Sequence, residues 1–226
     1  MFLDPATLKG GFDESQHPRD EGGRFSDGGG GGGSSGSASI NEQKLDAKHG
    51  ETLGQYVYDS TIVNGVARGK KFRPETQQKG ETLLAKMDDM FSSIPVLSHA
   101  MSVWRGQTST KSIGLDLTRP SLLIGSEFKD NGFTSSTSDI SVAESFADEP
   151  GDGGNTRGFL FEILLKAGAK ALNVALHAEK IPQISAGDAV DEKEILLDRG
   201  STYRISNHRK HDNGMLILQL EHKPKG

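Results

Sequence analysis

Three short segments carry the side chains best suited to chemistry. The first is SVWRG, where Arg105 closes an apolar run and Gly106 follows it. A guanidinium is a planar fork that pairs bidentately with phosphate oxygens, and a glycine lets a ligand come close to the backbone. The second is NGFTSSTSD, in which the hydroxyls of Ser135, Ser136, Thr137 and Ser138 run off the end of a strand toward a helix. The third is DEKEILLDRG, with Glu192 and Glu194 two residues apart at the entrance to an apolar strand. Strand alternation turns side chains two apart to the same side, so the two carboxylates are expected to act together. Taken singly, each segment has a plain structural explanation: a strand-end charge, a turn with a helix cap, a solvated strand edge.

The elements that must hold these segments are legible as patterns. From residue 40 to about 97 the texture is helical: Leu45, Leu53, Tyr56, Val57 and Val63 recur at loosely helical spacing, and Leu83, Leu84, Met87, Met90 and Phe91 form a second stripe. Two or three helices are expected there. Pro95 and Ser98 break the pattern, and short runs of β character follow, at residues 101–105, 127–134, 158–166, 171–174, 194–197, 203–206 and 215–221. One helix, at 139–147, interrupts them, with Ser138 or Asp139 as its cap. Helices first and strands afterwards predict an α+β domain. No GxGxxG follows a strand, so a Rossmann-type nucleotide site is not expected.

Composition narrows the function classes. The formal charge of −5 argues against duplex DNA binding through phosphate neutralisation. The chain has no cysteine, hence no disulfide, no thiol nucleophile and no Cys-based zinc site. Its seven histidines form no HExxH set; His208 and His211, beside Arg209 and Lys210, are expected in a basic turn. Trp104 is expected in the core. No run approaches a membrane span and the N-terminus lacks signal-peptide character, so no membrane partner is expected and the location is expected to be cytoplasmic, in a host cell, or virion-associated. Residues 1–39, with six consecutive glycines, are expected to be a flexible arm ahead of one domain at 40–226, made of a helical flank (40–97) and a β-rich core (98–223).

In order and spacing, the strand Arg105-Gly106, the Phe133-x-hydroxyl run leading to Ala143 and Phe146, and the Glu192-x-Glu194 pair resemble the arginine-serine-glutamate signature of the clostridial-toxin-like ADP-ribosyltransferases, over about residues 40–223. The resemblance implies a fold: a split two-sheet β-sandwich with an N-terminal helical flank, and NAD, as co-substrate and without a metal, folded in the cleft. It also implies roles. Arg105 contacts the phosphates, Gly106 offers backbone to the nicotinamide amide, and Ser135 holds the catalytic Glu194. Ser136 and Thr137 line the same NAD site, Phe146 lies against the nicotinamide ring, and Glu192 faces the acceptor. In the family, Glu-x-Glu goes with arginine acceptors, so the implied partner is a target protein with an acceptor arginine.

This chain departs from the family at two points. The usual Ser-Thr-Ser is matched by residues 135–137 when aligned on Phe133 and by 136–138 when read literally, so which hydroxyl meets Glu194 stays open, with Ser135 preferred. After the α-helix, where relatives carry a basic residue, Asp148 and Glu149 precede the loop PGDGGNTRG, and Arg157 is the expected replacement. The loop at 177–191, where the family reads its target, has no prominent aromatic. The DEGGRFSD segment bears a short likeness to stretches near transferase domains of phage head proteins, which leaves association with a phage particle through the arm as a further partner reading. An NAD glycohydrolase and a non-catalytic phage head-associated module remain the alternatives to a transferase.

Overall fold

The computed structural model of the protein describes residues 37–108, 114–148, 158–178, 181 and 192–223. Of the arm expected at 1–39 only Ser37, Ala38 and Ser39 are described; its residues 1–36, with the phage-particle reading, Arg157 and most of the loop at 177–191 lie outside the described residues.

The helical stripe resolves into a hairpin. Helix α1 (Ala47–Ala67) begins where the Asp46 side chain accepts from His49 N, and α2 (Pro74–Ser93) begins with proline, whose missing N–H costs nothing at that position. The helices approach closely at Gly80, where a Cβ would lie 2.7 Å from Val66 Cγ2. Leu53, Tyr56, Val63, Leu83, Met87, Met90 and Phe91 form the buried stripe, as the spacing predicts.

Among the described residues ten strands lie in chain order around the helices. A two-residue pairing joins β1 (Ser37–Ala38) to β2 (Val96–Leu97). The others are β3 (Met101–Gln107), β4 (Glu127–Asp130), β5 (Thr134–Thr137), β6 (Phe159–Leu165), β7 (Ala171–Asn173), β8 (Glu194–Leu197), β9 (Ser201–Lys210) and β10 (Leu216–Lys223). They hydrogen-bond in the order β4-β9-β10-β6-β3-β5-β8-β7, antiparallel except for β10 with β6. This mixed sheet is nearly two. Between β3 and β5 a single residue pair, Trp104 with Thr137, is in register, whereas β3 and β6 pair over seven.

The sheet therefore forms a five-stranded and a three-stranded wing, and their apolar faces meet. Ile195, Leu197 and Ala171 of the small wing share one core with Val103, Phe161, Ile163, Leu218 and Leu220 of the large wing. The helical hairpin covers the outer face of the small wing through Phe133, Leu172 and Leu196. Helix α3 (Ile140–Asp148) covers the large wing at Trp104, Leu160 and Ile217. The architecture is α+β, built in layers around the split expected from the sequence.

Some expectations need correction. The run at 127–134 is not one strand: it breaks at residues 131–133 into β4 and β5, which belong to opposite wings. Asp130 accepts from Gly132 N (2.9 Å) and Asn64 of α1 from Phe133 N (2.8 Å), which satisfies the backbone of the bend. Residues 208–210 are the end of a long β9 rather than a turn; the turn begins at His211. A short α4 (Val174–Ala178) and a 3-10 turn at Pro120–Leu123 are additional. Of the two proposed caps, Asp139 takes the role at α3, accepting from Ser141 N at 3.0 Å.

Gly106 has a packing role that its neighbourhood in sequence does not reveal. A Cβ there would lie 2.0 Å from Ala143 O and 2.7 Å from Ala147 N, so only glycine lets α3 seat on β3. Because overpacking against backbone cannot be relieved by a side-chain rotation, Gly106→Ala is expected to cost about 2–3 kcal/mol in urea unfolding. His222, 2% exposed, is held neutral by burial, its pKa pushed down to about 4. The unfolded chain then binds more protons between pH 6.5 and 4, so stability falls as pH falls through that window. Substitution by glutamine is expected to remove up to about 3 kcal/mol of that pH dependence, measured by unfolding at several pH values.

Candidate functional site

The site lies along the seam between the wings, where the ladder between β3 and β5 shrinks to one pair. Two cavities of about 300 and 250 Å³ open there and share Arg105 and Gln107 in their walls. Together they form one cleft of a size suited to a small-molecule ligand.

The larger cavity gathers most of the residues singled out from the sequence: Arg105, Gly106, Ser135, Ser136, Thr137, Phe146, Glu192 and Glu194 all line it. Ser135 Oγ donates to Glu194 Oε1 at 2.7 Å, and Arg105 Nη1 donates to the Ser135 carbonyl. The neighbouring hydroxyls are used otherwise. Ser136 Oγ donates to Ile195 O (2.6 Å), bracing β5 on β8, and Thr137 Oγ1 accepts from Asp139 N (3.1 Å). Phe146, on α3, is an apolar side chain left 41% exposed at the cleft. Trp104 is buried as expected, but it also lines the cavity, with the Arg209 guanidinium 5.9 Å over its ring.

Glu192 and Glu194 reach the same cavity by a route different from the expected strand alternation. Strand β8 starts only at Glu194; Glu192 and Lys193 form a turn, and Lys193 has φ 47°, an uncommon conformation for a side chain of its length. Lys193 Nζ donates to Asp139 Oδ2 at 2.7 Å, which ties the turn to the start of α3.

The smaller cavity contains residues that the sequence reading missed: Arg68, Asp130, Thr134 and Tyr203. Arg68, at the C-terminal cap of α1, makes a bidentate pair with Asp130, both bonds 2.8 Å. Tyr203 donates to Thr134 Oγ1 at 3.0 Å. No local spacing could have paired positions 62 apart in the chain; the only signal was an arginine and glycine closing the first helical stripe.

The electrostatics follow from enclosure. Burial raises the Glu194 pKa above the ordinary carboxylate value, while the Ser135 hydrogen bond and the Arg105 charge oppose the rise. Burial also lowers the pKa of Arg105; Asp130 counters this and Arg68 adds to it. Burial alone would raise Asp130, but the hydrogen bonds and charge of Arg68 and the Gly132 N–H outweigh it and hold Asp130 below its usual value. A carboxylate fixed in such a cleft can stabilise adjacent positive charge, and the guanidinium groups of Arg105 and, in the adjoining cavity, Arg68 can take a diphosphate. Among the described residues no three His, Cys, Asp or Glu side chains gather to hold a metal, and no helix is long and apolar enough to cross a membrane.

Comparison with known proteins agrees with this geometry. No curated protein sequence matches the chain. Solved structures with the same fold include the C3 exoenzyme of Clostridium limosum, at 17% identity over 80% of this chain and 87% of that one, with a TM-score of 0.54. C3stau2 from S. aureus, solved with NAD, aligns at 18% identity over 80% and 89% with a TM-score of 0.55. The Vis ADP-ribosyltransferase of Vibrio splendidus, solved with agmatine, aligns at 15% over 84% and 78% with a TM-score of 0.56. The family model described as ADP-ribosyltransferase exoenzyme matches residues 36–223, and the chain belongs to that family.

Proposed function

We propose that the protein is a mono-ADP-ribosyltransferase that cleaves NAD at the nicotinamide–ribose bond and transfers ADP-ribose to an arginine of a target protein. The observation that carries the reading is the contact of Ser135 Oγ with Glu194 Oε1 in a cavity also lined by Arg105 and Glu192. Family membership and the NAD bound to C3stau2 support NAD as the co-substrate. Agmatine, a guanidinium compound, bound to Vis supports a guanidinium acceptor.

In this reading Arg105 and Arg68 take the diphosphate, and the nicotinamide ribose lies by Glu194. The bond from the anomeric carbon to the pyridinium nitrogen breaks, and nicotinamide leaves with the electron pair. Glu194 stabilises the oxocarbenium character left on the sugar and accepts from the ribose 2-hydroxyl. Ser135 keeps that carboxylate oriented and ionised. A guanidinium nitrogen of the acceptor then bonds to the anomeric carbon, and Glu192 takes the proton it releases. Ser136 and Thr137 shape the floor through their backbone bonds, Gly106 brings α3 close, and Phe146 of that helix packs against the nicotinamide. Arg157 is proposed as a further phosphate contact.

The test is incubation with labelled NAD and a protein mixture, following both free nicotinamide and label on protein. Glu194→Gln is expected to lose both signals by roughly a thousandfold, whereas Glu192→Ala loses protein label and keeps nicotinamide release. Release without protein label in the wild type favours a glycohydrolase, and silence in both channels removes the enzymatic reading. The pH profile carries a second expectation. Glu194 acts ionised, so activity falls as pH falls through its raised pKa. Ser135→Ala deletes a hydrogen bond that lowers that pKa, and the acid limb of kcat/KM should move to higher pH; an unmoved limb contradicts the assigned role.

A further inference from the structure

We propose that Asp130 is a positioning residue for the diphosphate grip, holding the Arg68 guanidinium flat against Gly132 with one edge presented to the cleft beside Arg105. The proposal rests on the reading of NAD as co-substrate and concerns a residue that reading does not use. Three observations carry it. Asp130 Oδ1 and Oδ2 take Arg68 Nε and Nη2, each at 2.8 Å. That leaves Nη1 with no bond to protein among the described residues. The same carboxylate is fixed from its own side, accepting from Gly132 N at 2.9 Å and Thr134 Oγ1 at 3.3 Å, so it is a rigid anchor. Finally, a Cβ on Gly132 would lie 2.7 Å from Arg68 Cζ, 2.8 Å from Nη2 and 2.9 Å from Nε. The guanidinium therefore occupies the space that any other residue at 132 would fill.

The charge arrangement explains why such an anchor is needed. Arg68 and Arg105 line one cavity and repel one another, and a long, flexible arginine so placed gains by swinging out to water. Asp130 offsets the repulsion, being a counter-charge to both guanidinium groups. It occupies the Nε/Nη2 edge, so an incoming diphosphate meets Nη1 with its geometry already set, and binding does not have to order the side chain.

The experiment measures initial NAD binding rather than turnover, with no acceptor protein present, through the fluorescence of Trp104, the one tryptophan of the chain and part of the cleft wall. The full-length wild type is compared with Asp130→Asn, Gly132→Ala, Arg68→Met and the Asp130→Asn/Arg68→Met pair, each checked for folding by circular dichroism and thermal melting. Each single substitution is expected to raise the Kd for NAD about tenfold, the worth of one well-placed charged hydrogen bond. The double variant is expected to bind no more weakly than Arg68→Met alone, since Asp130 acts through Arg68. Gly132→Ala displaces the guanidinium while leaving every charge in place, and it decides the matter if Asp130→Asn does not fold. Wild-type affinity in a folded Asp130→Asn or Gly132→Ala protein overturns the proposal. So do losses that multiply in the double variant, as they would if Asp130 only braced the bend that carries Ser135. Failure of the wild type to bind NAD overturns the co-substrate reading instead, and the proposal with it.

Discussion

The cleft exists because β3 and β5 hydrogen-bond at one residue pair. Strands that continued their ladder past Trp104 and Thr137 would close the seam and bury the backbone edges that now border it. Instead the wings diverge, and the apolar contact between their inner faces holds them at a fixed angle. Arg105 leaves the large wing, while Ser135 and Glu194 leave the small one. The bond from Arg105 to the Ser135 carbonyl crosses the seam. The separate layers of the fold have a common purpose in this light: each fixes one wall of the gap. The helical hairpin backs the small wing, α3 backs the large one, and Asn64 and Arg68 clamp the bend between β4 and β5 that carries the serine.

Placing a carboxylate in that gap has a cost that the surroundings only partly offset. Burial disfavours the ionised form of Glu194, and the Ser135 hydroxyl and the Arg105 charge return some of what is lost. A carboxylate fully satisfied by neighbours would have little left to give a developing positive charge. One that is partly desolvated and held by a single hydroxyl is poised to interact with it strongly. The unusual φ of Lys193 and its bond to Asp139 belong to the same arrangement, since the strained turn sets the approach of Glu192 and is tied to the start of α3.

Much of this was legible in the sequence because it depends on local pattern. The helical stripes, most strands and the grouping of Arg105, Ser135, Phe146, Glu192 and Glu194 follow from periodicity, turn residues and the order of a known signature. What was illegible depends on distance along the chain or on space. The pairing of Arg68 with Asp130 joins α1 to a bend in the sheet, and beyond the Arg-Gly that closes the first helical stripe nothing near either residue announces it. The break between β4 and β5 was hidden because Asn131, Gly132 and Phe133 look like a brief irregularity in one strand, and the partner that stabilises the bend, Asn64, lies in a helix. Gly106 reads in the sequence as a glycine for a ligand; that its missing Cβ also accommodates the backbone of α3 needed coordinates. The roles of Ser136 and Thr137 needed coordinates for the same reason: a run of hydroxyls does not say which one faces a carboxylate and which are spent on the backbone.

In the proposed function this seam holds NAD with its reactive bond against Glu194. A crystal structure of the Glu194→Gln protein soaked with NAD tests it most directly. The diphosphate is expected between Arg68 and Arg105, the nicotinamide beside Phe146, and the 2-hydroxyl of its ribose within hydrogen-bonding distance of residue 194. NAD bound elsewhere, or seated in the cleft with that ribose turned away from residue 194, would contradict it.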